Sequence, residues 1–136
     1  MNRVYGLLLA FLVLVAGVGC VGLDNLSANK LTKSTSAGVE VELAHWAYWD
    51  KNCRGENFSV TIATTPKNGQ IIIRDSVYAI PSRTSNGNLT GCVDKIVESK
   101  KVVYLPNEGF RGQDEAIVKF SGSTGSVANA YTIAVN

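Results

Sequence analysis

Apolar and polar residues alternate in short bursts along most of the chain, and Gly, Asn, Pro and Ser break the bursts apart. Val39 to Leu43 (VEVEL) and Phe58 to Ile62 (FSVTI) put every second residue on one face, as half-buried strands do. Gln70 to Arg74 (QIIIR) is a third run of this kind. Pro66-Lys67-Asn68-Gly69 stands before it, and Asn-Gly between two strand-like runs predicts a hairpin whose central residues take positive φ. Lys101 to Leu105 predicts a strand stopped by Pro106; Glu115 to Phe120 predicts the next. Ser121 to Ser126 reads as a turn, and Val127 to Val135 as the last strand. Residues 82–99, rich in Ser, Asn, Gly and Thr, read as a long loop with room for a short strand. Short strands joined by such turns over about 100 residues imply an all-β antiparallel sandwich. The inward set expected from the alternation is Val41, Leu43, Val60, Ile62, Ile71, Ile73, Val103, Ile117 and Ile133.

The pattern at the N-terminus is different. Arg3 precedes an apolar stretch from Leu7 to Ala16, followed by Ala16, Gly17 and Gly19. That is the layout of a helical signal peptide over residues 1–19, too short in its apolar part for a membrane span. Gly19-Cys20 resembles a bacterial lipobox, except that Gly17 occupies the position usually held by leucine. Cys20 is therefore either the lipidated first residue of the exported chain or part of what plain cleavage removes. Residues 20–37 are polar with weak periodicity and read as a tether or disordered arm, leaving 38–136 as the folded domain.

Composition narrows the chemistry. A formal net charge of +2 over 136 residues gives no basic stripe, so a nucleic-acid partner is not expected. The chain has three cysteines. With Cys20 lost or lipidated, Cys53 and Cys92 form the exported pair expected to be a disulfide. The loop so closed, about 40 residues, corresponds to roughly 4 kcal/mol in the chain-entropy account. Two cysteines and the single histidine, His45, do not make a zinc set.

Several motifs resemble bacterial Ig-like and cadherin-like repeat domains over about 70 residues. Pro66-Lys67-Asn68-Gly69 is similar to their P-x-x-G turn. Val102-Val103-Tyr104-Leu105-Pro106, followed by Phe110-Arg111-Gly112-Gln113-Asp114, is similar to the run before their penultimate strand. Trp49 to Cys53 (WDKNC) and Gly91-Cys92 also look like small exported single-domain proteins of proteobacteria. The resemblance implies an Ig-like β-sandwich. It carries no calcium site over, because the clustered Asp/Asn linker motifs are missing, and Ala116-Ile117 replaces the usual aromatic after the aspartate.

Two stretches hold the candidate site residues. Tyr104, Pro106, Gly109, Phe110, Gly112 and Asp114 read as a structural corner: glycines for unusual backbone angles, Phe110 as a plug, Asp114 as an acceptor of turn N–H groups. Glu108, Asp114 and Glu115 lack the spacing of a metal loop. In the second stretch, strict alternation from Val39 places Trp46 and Tyr48 outward beside Glu40 and Glu42, and with Trp49 they form a candidate sugar, peptide or protein surface. A bulge near His45 would instead turn these rings into the core. No catalytic motif is present, and neither a metal nor a cofactor is expected. Asn25, Asn57 and Asn88 begin N-x-S/T segments, which are glycan acceptors only in a host with that machinery.

The expectation is an exported, non-catalytic binding or structural module of the cell envelope, periplasmic or extracellular. It would recognise a protein or a glycan by a sheet face or by loop 82–99. It would touch a membrane only through its leader or a lipid on Cys20. The alternative is a small secreted hydrolase with acidic catalytic residues.

Overall fold

A computed structural model describes residues 27–84, 88 and 90–136. The leader, Cys20, Asn25 and the first part of the expected arm lie outside the described residues. The strands are β1 (Asn29–Thr35), β2 (Val41–Trp46), β3 (Ser59–Thr64), β4 (Gly69–Ala79), β5 (Ile96–Pro106), β6 (Gly112–Gly122) and β7 (Gly125–Val135). They form two sheets, ordered β1-β7-β6-β3 and β2-β5-β4. Neighbours are antiparallel except β1, which runs parallel to β7.

The sheets face each other across one main core. Leu43, Val102 and Tyr104 come from the three-stranded sheet, and Val118, Phe120, Tyr131, Ile133 and Val135 from the other. Alternation drives this burial: Asp114, Ala116, Val118 and Phe120 are all buried along β6. Burying a side chain such as Ile133 or Val118 contributes about 1.5–3 kcal/mol.

Several expected positions are corrected. Leu43 and Ile133 are buried in the core, and Val41, Val60 and Ile71 pack against it. Ile117 points outward, because its neighbours Ala116 and Val118 are the ones buried. Ala116 stands directly opposite Tyr131, where a small side chain leaves room for that buried ring. Val103 is buried on the outer side of β5, between the inward Val102 and Tyr104. Ile62 is only half-buried, and Ile73 is exposed.

Residues 29–35, read from sequence as part of a tether, form β1 instead. All but Lys33 and Thr35 are exposed, so no apolar period marks the strand, and its ladder with β7 holds it in place. The loop expected over 82–99 is shorter, since β5 already begins at Ile96.

The Pro66–Gly69 hairpin is also overturned. β3 and β4 lie in different sheets, so this segment crosses from one sheet to the other. Neither Asn68 nor Gly69 has positive φ. Gly69 answers a different demand: a Cβ there would sit 2.4 Å from Tyr104 Cε2 and 2.6 Å from the Leu105 carbonyl oxygen.

Candidate functional site

The expected structural corner organises one end of the sandwich. Pro106 ends β5, pairing with Gly69 as the strand's last residue. Gly109 and Gly112 turn the chain at φ +73° and +130°. Phe110 folds back onto the core and over Gly112. Asp114 accepts the backbone N–H groups of Lys67, Asn68 and Glu115 at 2.9, 2.8 and 3.0 Å, and the Tyr104 hydroxyl at 3.0 Å. Burial pushes its carboxyl up, but these bonds outweigh burial and hold it below the usual carboxylate range. Burial first, then the bond and charge of Asp114, push the Tyr104 phenol up. The carboxylate oxygens are thus spent on clamping the sheet-crossing loop, and Glu108 and Glu115 stay exposed. Among the described residues no group of His, Cys, Asp and Glu is arranged to hold a metal.

The aromatic run shapes the opposite end. Register slips between Glu42 and Ala44, and this bulge reverses the face on which the following residues lie. Trp46 therefore turns inward, contrary to strict alternation, and stacks on Phe120 with centroids 4.5 Å apart and planes 15° apart. Tyr48 packs on Phe58 and lies over Gly122, where a Cβ would come within 2.6 Å of its ring. Trp49 stacks on Tyr78, and Tyr78 meets the His45 ring edge-on at 5.0 Å. The His45 Nε2 and the buried Ser99 hydroxyl are hydrogen-bonded at 2.8 Å.

Two loops complete this end. In the first, Asp50 Oδ1 accepts the N–H groups of Asn52 and Arg54, and Trp49 bridges to Gly55. The Arg54 backbone bond first, with the Arg54 side chain and Asn52, holds the Asp50 carboxyl below its usual value. In the second, Ile80 pairs with Lys95 and Asp94, and Thr90 bonds back to Pro81 and Ser82. The Cys53–Cys92 disulfide joins the two loops, with Cα atoms 5.3 Å apart. Ile80, Cys92 and Val97 form a small second core beneath it, with Trp49 and Tyr78 packed against them.

Between these walls lies an open cleft of about 440 Å³. Its floor and sides are His45, Trp46, Tyr48, Trp49 and Tyr78; Thr84, Asn88 and Thr124 add polar atoms. Sequence reasoning named Trp46, Tyr48 and Trp49 and gave them two orientations, outward under strict alternation or inward through a bulge near His45. The structure has a bulge between Glu42 and Ala44, and the rings are half-buried walls. It missed Tyr78 and left His45 without a role. Only the strand order, with β5 between β2 and β4, brings the two together.

No model of a known protein family, no curated protein and no solved structure matches this chain.

Proposed function

We propose that the protein is an exported binding module of the cell envelope that takes a glycan or a protein segment in the aromatic cleft. The cleft itself carries this reading: stacked aromatic walls with polar groups at the rim are a surface suited to sugar faces and apolar side chains. An Ig-like assignment is favoured by the strand orders. β2-β5-β4 opposite β7-β6-β3 corresponds to the B-E-D and G-F-C order of a seven-stranded immunoglobulin-type domain. The leader-like N-terminus and the disulfide favour an oxidising, exported setting. Attachment through a lipid on Cys20 belongs to the same reading, and the mass of the mature N-terminus tests it. The functional test is titration of the protein, Trp49→Ala and Tyr78→Ala against purified envelope polysaccharides and envelope proteins. Loss of a partner with the fold intact supports the cleft. Variants that change stability but no partner would end the proposal.

A further inference from the structure

We infer that the free edge of β4, with the cleft beside it, is a docking site for an extended, lysine- or arginine-containing peptide segment that adds as a strand. β4 is the last strand of its sheet, and among the described residues no strand pairs with its outer side. It is 11 residues long and contains no proline, so its free edge is a long row of backbone donors and acceptors.

The side chains along it are arranged for a partner. Ile71 and Ile73 stand opposite Tyr104 and Val102, which places this row on the core-facing side. The same row continues past the core as Asp75, Val77 and Ala79, opposite Lys100, Glu98 and Ile96. There the other sheet no longer covers it. Val77 is 62% and Ile96 63% exposed, and Ile73 is exposed as well. A cleft of about 640 Å³ lies between this face and Glu56, Asn57 and Phe58.

Charge selects the occupant. The cleft holds three carboxylates, Glu56, Asp75 and Glu98, against one ammonium, Lys100. Lys100 is committed to Asp75, whose side chain remains 88% exposed. This acidic lining belongs to a chain of net charge +2. A strand laid along β4 sends alternate side chains into the cleft. Apolar ones meet Ile73 and Val77, and a cationic one meets Asp75 and Glu98. The central Arg74, paired with Glu40 on the other face, makes edge-to-edge self-pairing less favourable than pairing with such a peptide.

The test uses a fluorescein-labelled peptide, KTVTKTVTK, titrated into the protein by anisotropy. Saturable binding is expected, with slowed hydrogen exchange confined to β4. A version N-methylated at alternate residues should bind at least about tenfold more weakly, since it loses the backbone bonds along the edge. An Asp75→Lys/Glu98→Lys double variant with unchanged near-UV circular dichroism should also lose about tenfold. Trp49→Ala should bind the peptide normally, which separates this site from the aromatic cleft. Absence of saturable binding overturns the inference. So does equal binding of the N-methylated peptide, which would mean charge attraction alone. Sedimentation as a dimer broken by the double variant would overturn it too, as the edge would then serve a second copy of the chain.

Discussion

The Tyr104 hydroxyl donates to Asp114 Oδ2 at 3.0 Å, tying the end of β5 to the start of β6 across the sandwich. The same carboxylate clamps Lys67 and Asn68 in the loop that changes sheets. Bonds to a charged acceptor contribute about 1.5–3 kcal/mol, and losing several at once leaves buried donors unpaired. Asp114→Ala is therefore expected to cost about 3 kcal/mol or more in urea unfolding.

The pair also sets a pH dependence. The folded carboxyl of Asp114 titrates below its unfolded value of about 3.9. Its stabilisation is present above that value and is lost as pH falls through the lower folded one. Tyr104 has the opposite sign: its folded value lies above the unfolded one of about 10, so its share is present below pH 10 and lost as pH rises further. Asp114→Asn should flatten the acid limb of stability against pH, and Tyr104→Phe the alkaline limb. Unchanged limbs would show that other groups carry them.

Gly69 distinguishes the sheet-crossing loop from a hairpin. A side chain there meets the Tyr104 ring and the Leu105 carbonyl. Gly69→Ala should cost about 1–3 kcal/mol, and the larger Gly69→Asn more. A positive-φ hairpin turn would rank them the other way, because Asn tolerates that region well. Gly109→Ala provides the contrast. It has open space but φ +73°, so about 1–2 kcal/mol of backbone strain is the whole expected effect.

What the sequence showed followed from local patterning. Alternation found core-facing residues of β2, β3, β4 and β7, namely Val41 and Leu43, Val60, Ile71 and Ile133, and cysteine counting identified the Cys53–Cys92 pair. What it hid was set by distant partners. Asn68-Gly69 carries a strong local turn signal, yet Asp114 and Tyr104, far along the chain, decide its shape. The inward turn of Trp46 depends on a single bulge that leaves no mark in composition. In Ala116-Ile117-Val118 all three residues are apolar, so the pattern could not say which face was inside. β1 is exposed along most of its length and had no pattern to read.

Trp46 and Trp49 should separate stability from recognition. Trp46 stacks on the core residue Phe120, and removing the ring opens a cavity there. Trp46→Ala is expected to cost about 3 kcal/mol. Trp49 packs on the small second core and on Tyr78, away from the main core, so Trp49→Ala should cost less and act on the cleft. Thermal unfolding of both variants beside a partner titration checks this. Equal destabilisation would mean that the two rings serve one core.

The disulfide is expected to hold the cleft as well as the fold. It joins the loop carrying Trp49 to the loop carrying Thr84 and Asn88, the two sides of the cleft. Cys53 is held at φ +62°, a left-handed backbone that a non-glycine residue adopts at a cost. Cys92 anchors the small core under Trp49 and Tyr78. The bridged cysteines are 39 residues apart, so losing the cross-link should cost roughly 4 kcal/mol by the loop-entropy account. Cys53→Ser/Cys92→Ser should therefore unfold at lower urea. While still folded, it should show altered near-UV signals from Trp49 and Tyr78 but an intact Trp46–Phe120 stack. Thiol labelling of unfolded, unreduced wild-type protein should leave Cys53 and Cys92 unmodified. Labelling of both would remove the clamp, and with it the reason for the two cleft walls to stay together.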